Sequence, residues 1–530
     1  MEPELLLLHG DIHTMDPLLP RARAIALRAG RVVAVGSEEQ AIAALGARPR
    51  RIDLGGRCVI PGLTDSHLHF RWYAESLRAV DVEAPTLAEA MSRIKARAEV
   101  TPPGAWITGS GWNHNVWGSG ALPTLAPLDA VAPRNPVALK AKSGHALWAN
   151  SVALRLAGIR LDTADPEGGK IAHGTDGTPS GILLENAMDL VQSIIPVPSA
   201  AECADMMVAA QAAAHRVGLT GIHDFDGTLA FHAFQILEAR GELTLRVVKG
   251  IPHEKLDAAI AWGVRTGFGS ERIVTGAVKM FADGALGPMT AAMIAPYENT
   301  WATGISTLTE EQARADVARA NRAGIACAIH AIGDAACHMV LNAFQAAAGT
   351  AAPGALPIRN RIEHAQLLHP DDLPRLARLG VIASMQPLHA TSDMLIAERH
   401  WGSRCAGAYA WKSLLDSGAD LCFGSDCPVE SPNPLAGIHA AVTRRRDDGS
   451  PGPEGWRPEQ RLSVEQAVRA YTTGAAHAGG RDQDAGCLSP GRYADLVVLD
   501  RDIFRVDPHE LRDAAVAMTI AGGVVVYGSP

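Results

Sequence analysis

Short apolar runs that end in a polar or ionisable residue recur along most of the chain. Eight of them have the length and apolar content of buried strands, and they span residues 63–69, 219–225, 243–250, 277–283, 325–330, 360–365, 381–386 and 421–426. Helical patterning lies between most of these runs; Thr309 begins one helix that Gly324 ends, and Ser463 with Gln466 forms a capping box at another. This alternation predicts an α/β protein built on a parallel sheet, and eight βα units predict a (β/α)8 barrel of the TIM type.

Two parts of the chain do not follow this alternation. Residues 1–58 and 486–530 are rich in Val and Gly and have the pattern of short strands and turns, so both ends are predicted to form one small β-sandwich. The barrel is predicted over residues 59–485, and within it residues 71–200 separate the first two barrel strands. That segment is too long for a loop and contains strand-like WITGSG and PVALKAK, so we expect an inserted α/β subdomain.

Composition and charge narrow the classes of function. The 530 residues carry a formal net charge of −9 without a long block of one sign, which argues against a nucleic-acid-binding surface. No apolar run approaches the roughly 18 residues of a membrane span, and the eight cysteines form no C-x-x-C pair. We therefore expect a cytoplasmic protein with reduced thiols that acts on a small molecule; a homodimer is expected only because it is the commonest oligomer.

The first predicted barrel strand ends in GLTDSHLHF, which places two histidines one residue apart. Residues i and i+2 of a strand point to the same side, so His67 and His69 can share one divalent cation while Leu68 packs the other way. By itself the pair is weak evidence, since two polar side chains at the mouth of a barrel would give the same pattern.

Later strands carry four more residues of metal-ligand type. An unpaired ammonium in an apolar strand is costly, so Lys279 is expected either to react with CO2 to give a bridging carbamate or to pair with Asp283 or another carboxylate. His330, His364 and Asp426 lie at the ends of three further strands. Together with the first pair they predict a metal centre. Nitrogen and oxygen ligands without cysteine suit Zn²⁺ first, with Mn²⁺, Fe²⁺ and Co²⁺ as alternatives.

The combined motifs resemble those of the amidohydrolase superfamily over nearly the whole chain. Finer features are similar to its branch called amidohydrolase family 3, which includes N-substituted formamide deformylases. The motifs are VIPGLTDSHLH at 59–69, GW at 111–112, SGHALWANSVAL at 143–154, VKMFADGALG at 278–287, HAIGDAA at 330–336, RIEHAQ at 361–366 and GSDCPV at 424–429.

This resemblance implies a divalent metal centre, with one or two ions per chain, and an enzyme that hydrolyses an amide-type carbon–nitrogen bond. It implies six ligands: His67, His69 and Asp426 around the more buried ion, and carboxylated Lys279, His330 and His364 around a second. The expected chemistry is attack of a metal-activated hydroxide on the carbonyl, with Asp426 as the proton shuttle to the leaving nitrogen.

Two side chains of the insertion are candidates for contact with the substrate. Trp112 would form an aromatic wall and His145 would reach the pocket; the alternatives are a core tryptophan and a turn histidine bonded to backbone. Tryptophans cluster at 106–117, which favours an N-acyl or N-formyl substrate with an apolar substituent. Arg361 and Glu363 are expected to pair with neighbouring side chains rather than with substrate.

Two other functions stay open at this level. A mononuclear deaminase of the same superfamily typically uses a Glu after a strand histidine, whereas His330 is followed by AIGD, and Lys279 also argues against it. A non-catalytic structural relative would have lost metal ligands, whereas all six positions are filled here.

Overall fold

A computed structural model describes residues 4–45, 49–117, 122–142, 145–349 and 357–529. Ser143 and Gly144, which begin the motif at 143–154, lie outside these ranges. The chain divides into two compact units, one made of residues 1–72 and 203–530 and the other of residues 73–202.

The described residues form 24 β-strands. They are β1 (Glu4–Leu8), β2 (Asp11–His13), β3 (Arg21–Ala22), β4 (Ala24–Arg28), β5 (Arg31–Gly36), β6 (Arg50–Asp53), β7 (Cys58–Pro61), β8 (Leu63–Leu68), β9 (Val80–Asp81), β10 (Ile107–Trp112), β11 (Val137–Ala141), β12 (Ala146–Ala149), β13 (Gly169–His173), β14 (Pro179–Glu185), β15 (Leu219–Asp224), β16 (Arg246–Pro252), β17 (Ile273–Phe281), β18 (Cys327–Ala331), β19 (Arg361–His364), β20 (Ile382–Met385), β21 (Leu421–Phe423), β22 (Leu496–Leu499), β23 (Val516–Ala521) and β24 (Val524–Gly528).

The α-helices follow the same order. They are α1 (Glu38–Ala43), α2 (Phe70–Arg78), α3 (Leu87–Val100), α4 (Leu125–Val131), α5 (Ser151–Leu156), α6 (Asp189–Gln192), α7 (Ala200–Arg216), α8 (Thr228–Ala239), α9 (Leu256–Ala261), α10 (Glu310–Arg322), α11 (Asp334–Ala347), α12 (Leu373–Leu379), α13 (Pro387–Trp401), α14 (Trp411–Asp416), α15 (Pro434–Thr443), α16 (Val464–Tyr471) and α17 (Thr473–Ala478). Segments of 3₁₀ helix lie at His114–Val116, Asn186–Met188, His253–Lys255, Gly402–Gly407, Pro458–Gln460 and Pro508–Asp513.

Eight parallel strands form the barrel of the first unit. Their order in the sheet is β8, β15, β16, β17, β18, β19, β20 and β21, so neighbours in the chain are neighbours in space. The sheet closes where Leu68 pairs in parallel with Cys427. The predicted (β/α)8 barrel is confirmed, and its strand ends bring polar residues to one rim.

Gly424 permits the close approach of the last barrel strand to the first, where the barrel closes. A Cβ on Gly424 would lie 2.5 Å from the backbone nitrogen of His67 and 2.7 Å from Oδ1 of Asp65, so a larger residue would collide. The amide of Asp426 donates to the carbonyl oxygen of His67 at 2.7 Å. The GSD motif therefore holds Asp426 beside the first barrel strand.

Two barrel strands begin three or four residues away from their predicted starts. β16 begins at Arg246 rather than at 243, because the amide of Leu243 donates to the carbonyl of Leu237 and so belongs to the end of α8. β17 begins at Ile273, four residues before the predicted start, because its pairing with β16 starts at Val247 and Ile273.

Both ends of the chain meet in two sheets of the first unit. One sheet has the order β5, β4, β1 and β6, and the other has the order β24, β23, β22, β7, β2 and β3. The two sheets share one apolar core, to which Leu7 and Ile25 contribute from the first and Val59, Leu496 and Met518 from the second. This packing makes a sandwich from residues that are far apart in the sequence.

The second unit is an α/β fold with its own core. Its sheet has the order β13, β14, β12, β11, β10 and β9. Trp112 and Trp148 lie in its largest apolar cluster together with Leu139. Across both units, every helix in the described ranges is too short or too polar to cross a lipid bilayer.

Candidate metal centre

His67 on β8 and His69, just past the end of that strand, turn the same ring nitrogen toward Asp426. Nε2 of His67 lies 3.4 Å and Nε2 of His69 3.6 Å from Oδ1 of Asp426. The three ligand atoms all lie within 4.8 Å of one another. Two imidazole nitrogens and one carboxylate oxygen at this spacing fit a divalent cation such as Zn²⁺.

Carboxylates hold the opposite nitrogen of each ring. Nδ1 of His67 lies 2.5 Å from Oε2 of Glu363, and Nδ1 of His69 lies 3.3 Å from Oδ1 of Asp226. A proton on Nδ1 that is donated to a carboxylate leaves the lone pair of Nε2 free for a cation. Burial keeps the pKa of His67 well below its usual value, which favours the neutral ring that a metal requires.

A second group of ligand atoms shares Asp426. His364 and His389 each offer a ring nitrogen that lies within 4.8 Å of the other and of a carboxylate oxygen of Asp426. Nδ1 of His364 donates to Oε1 of Gln386 at 2.8 Å, which leaves its Nε2 free. His364 and Asp426 have φ angles of 74° and 59°, and such left-handed backbone at non-glycine residues is typical of functional sites.

His330 lies beside this group without joining it. Its ring centroid is 4.5 Å from that of His364, but its Nε2–H donates to the carbonyl of Gly284 at 2.8 Å. Among the residues described, no set of three converging ligand atoms includes His330. Its role as a metal ligand stays a prediction.

Lys279 is buried within the barrel. Its Nζ has no hydrogen-bond partner among the described residues, and it lies 5.1 Å from the ring centroid of Phe225 and 4.8 Å from that of Phe281. Burial lowers the pKa of Lys279 to about 8, while the charges of Glu363 and Asp426 act in the opposite direction. The described ion pairs include none between Lys279 and Asp283; a buried amine without a partner fits the carbamate alternative.

Burial also shifts the pKa values of Asp426 and His389. It raises the pKa of Asp426 to about 6, against the opposing charges of His69 and Lys279. It lowers the pKa of His389 to about 4. Both shifts favour the neutral form of the side chain.

Arg361 forms hydrogen bonds that join Glu363, at the candidate metal centre, to residues of neighbouring barrel strands. Its guanidinium binds both carboxylate oxygens of Glu363, donates to Nδ1 of His223 at 2.9 Å, and donates to the carbonyl of Ser66 and to Oγ of Ser384, each at 2.6 Å. The predicted pairing of Arg361 and Glu363 with neighbours is therefore present. Since Glu363 also holds His67, this network fixes the orientation of a candidate ligand.

Sequence reasoning missed three aromatic residues at the centre. The ring of Trp72 stacks on His69 at 4.6 Å, Phe281 lies 5.4 Å from His330, and Phe225 lies 4.7 Å from His67. Trp72 is 47% and Phe281 50% exposed, so both present apolar surface beside candidate ligands. The spacing of two of these residues could have indicated their position. Trp72 is three residues after His69, and Phe281 is two residues after Lys279 on one strand.

His389 was also missed. It lies in the first turn of α13, four residues after β20 ends at Met385. The seventh barrel strand has no ligand-type residue at its end. The sequence PLHAT does not indicate that a histidine of the following helix reaches the candidate metal centre.

Trp112 and His145 lie in the second unit. Trp112 is buried, and its Nε1–H donates to the carbonyl of Leu139 at 2.8 Å. His145 is exposed, with Nδ1 3.1 Å from Oε2 of Glu185. Both line a cavity of about 770 Å³ in this unit, with Lys142 and Lys170. Their contact with a substrate stays a prediction.

Comparison with known proteins adds independent findings. Residues 50–527 match the model of a family described as the amidohydrolase family. The chain is 32% identical over 528 residues to the putative amidohydrolase YtcJ of Bacillus subtilis (strain 168), covering 98% of each protein. It is 29% identical over 540 residues to N-substituted formamide deformylase of Arthrobacter pascens, covering 99% of this chain and 98% of that one.

A solved structure agrees with these relatives. An uncharacterized metal-dependent hydrolase from Pyrococcus furiosus superposes with a TM-score of 0.79 at 29% identity, covering 95% of this chain and 100% of that one.

Proposed function

The chain belongs to the amidohydrolase family and is a metal-dependent hydrolase of non-peptide carbon–nitrogen bonds, and from this premise we propose that it cleaves an amide bond of a small molecule. The observation that carries the proposal is the convergence of Nε2 of His67 and Nε2 of His69 on Asp426, with a carboxylate at the other nitrogen of each ring.

The residues that would hold the metal fall into two sets. His67, His69 and Asp426 would hold one ion, and a carbamate on Lys279, with His330 and His364, would hold a second. The buried amine of Lys279, without a hydrogen-bond partner in the described ranges, supports the carbamate, and the donor set favours Zn²⁺. When bound, the cation supplies an acidified water molecule and polarises the substrate carbonyl.

Asp426 would move the proton. An amide nitrogen is a poor leaving group until it is protonated, so hydrolysis needs a group that takes a proton from the attacking water and delivers it to nitrogen. Oδ1 of Asp426 lies between the two histidines of the first strand, and its other oxygen faces His389. This position among three histidines of the candidate metal centre supports Asp426 as the proton shuttle.

We propose an N-formyl or N-acyl amine with an apolar substituent as the substrate. The support is the exposed ring surface of Trp72 and Phe281 beside His69 and His330, together with the similarity to an N-substituted formamide deformylase. A cytoplasmic location is proposed as well, since all eight cysteines are free thiols.

Removal of metal tests the proposal directly. We expect the purified protein to contain one or two equivalents of divalent metal. Dialysis against a chelator should lower hydrolysis of N-formyl and N-acyl amines to below about one thousandth, because without the cation the pKa of the attacking water returns to its much higher bulk value. Added Zn²⁺ should restore the rate. Metal analysis and an amine-release assay measure both quantities.

A matched pair of histidine variants controls this experiment. His67→Asn should lose metal and activity, whereas His215→Asn should keep both, since His215 is equally buried but bonds Leu219 and Thr244. A fully metallated protein that hydrolyses none of these amides would contradict the proposed function.

Loss of the exposed aromatic rings should change substrate selectivity. We expect Trp72→Ala or Phe281→Ala to lower kcat/KM for an N-arylalkyl formamide about tenfold more than for N-methylformamide, because only the aryl group can stack on these rings. Trp262, which is 88% exposed and follows α9, provides the control variant Trp262→Ala. Equal losses on both formamides would argue against a stacking role.

A further inference from the structure

His389 is a buried side chain at the candidate metal centre, and one of its ring nitrogens is unpaired within the described ranges. It is 7% exposed, and its Nε2 has no hydrogen-bond partner among the described residues. That nitrogen lies 3.9 Å from Oδ2 of Asp426, which is longer than a hydrogen bond. Buried polar atoms are nearly always paired, so an unpaired one at a reactive centre indicates a partner from outside the chain, such as a water molecule, an ion or the substrate.

The neighbours of the ring decide which nitrogen carries the proton. Nε2 of Gln366 donates to Nδ1 of His389 at 3.4 Å, so Nδ1 is the acceptor and the proton lies on Nε2. The ring lies nearly parallel to that of His364, with centroids 6.0 Å apart and an interplanar angle of 12°. With Nδ1 turned to Gln366, the Nε2–H group lies on the side of the ring that faces Asp426.

The position of His389 in the fold favours a donor with a fixed backbone. His389 follows Pro387 in the first turn of α13, where proline restricts the backbone, and buried Gln386 precedes the helix. Gln386 itself binds His364. The segment 386–389 thus orients one candidate metal ligand and one free donor at the same time.

We propose that Nε2–H of His389 donates a hydrogen bond to the substrate carbonyl oxygen as that oxygen becomes negative during attack by water. This inference rests on the proposed amide hydrolysis. A donor fixed toward the position where charge develops stabilises the transition state more than the substrate, because little reorganisation is needed when the charge appears.

The alternative for His389 is metal ligation, since its ring nitrogen lies within 4.8 Å of ligand atoms from His364 and Asp426. A ligand would need the lone pair on Nε2 and the proton on Nδ1, where Gln366 already donates. The hydrogen-bond geometry favours the donor role, and metal content separates the two roles experimentally.

The experiment compares the wild-type holoenzyme with His389→Phe, which keeps a ring of similar volume without a donor. We expect kcat on an N-formyl amine to fall about 10²–10³-fold with little change in KM, as for removal of other oxyanion donors. His389→Gln, whose amide retains an N–H near the Nε2 position, should recover most of the loss. His389→Leu serves as the second donor-free variant if the Phe variant does not fold.

Two readouts do not depend on turnover. Metal content should stay at the wild-type value in every His389 variant. The affinity of the Zn²⁺-loaded protein for methylphosphonate, a small tetrahedral oxyanion, should fall at least about tenfold in the Phe and Leu variants when measured by calorimetry. His439→Leu is the matched control, because His439 is equally buried in α15 and bonds Thr443.

The outcomes separate this inference from the proposed function. Loss of a metal equivalent, or methylphosphonate binding as tight as in the wild type, would overturn the donor role. Methylphosphonate binding that depends on His389, in a protein that hydrolyses no amide, would support the donor and refute amide hydrolysis. An unchanged kcat in an active Phe variant would refute the donor alone.

Discussion

Asp426→Asn is expected to lower kcat for amide hydrolysis by about 10²–10⁴-fold, the range typical of a lost general acid–base group. The amide of Asn is similar in size to the carboxylate and retains one oxygen that faces His67 and His69, so bound metal should be retained. It cannot take a proton from water or pass one to nitrogen. Single-turnover kinetics together with metal analysis by plasma emission would measure both effects.

The residue that precedes β21 supplies the control for this variant. Asp420 stands at the opposite end of β21, where it pairs with His477 at 3.4 Å. Asp420→Asn should therefore leave kcat within a factor of about two, since changes to exposed ion pairs have small effects. Full activity in an Asp426→Asn variant with full metal content would exclude Asp426 as the proton shuttle.

The barrel and three residues of the candidate metal centre, His67, His69 and Asp426, could be predicted because they depend on local sequence patterns. Alternation along β8 places His67 and His69 on one side, although the strand itself ends at Leu68. Parallel strands bring their carboxyl ends to one rim, independently of the loops that connect them. Asp426 follows from the same rule, since β21 is the last strand and must close beside β8. No side-chain detail is needed for any of these steps.

The remaining residues depend on contacts that the sequence does not encode locally. His389 reaches the centre from a helix, so strand periodicity says nothing about it. Glu363 was expected to pair with a neighbouring side chain, yet its bond to His67 joins positions 296 residues apart. The exposed rings of Trp72 and Phe281 could not be distinguished from core aromatics, because exposure is a property of the folded barrel.

Replacement of Arg361 by methionine is expected to have the largest effect on stability. Arg361 and Glu363 are both buried, and the side-chain donors of Arg361 bind Glu363, His223, Ser66 and Ser384. Methionine fills similar volume but leaves the carboxylate of Glu363 buried without its counter-charge. Breaking a buried pair in this way costs about 3–5 kcal/mol in the free energy of unfolding. Urea denaturation of the metal-free protein would measure it.

A surface pair of the same type is the matched comparison. Arg314 binds Glu310 one turn away on α10, and both side chains are largely exposed, so Arg314→Met should cost less than about 1 kcal/mol. A similarly small cost for Arg361→Met would show that Glu363 is protonated or finds another partner in the fold.

Arg361→Met should also weaken metal binding, because Glu363 contacts both Arg361 and the candidate ligand His67. The carboxylate that loses Arg361 still contacts Nδ1 of His67, but it is no longer held in place from the other side. Loss of such an outer partner typically weakens metal binding by about 10–100-fold. Competition with a chromogenic chelator should therefore show weaker Zn²⁺ binding in Arg361→Met and wild-type binding in Arg314→Met. Unchanged affinity in Arg361→Met would mean that His67 is oriented by the barrel backbone alone.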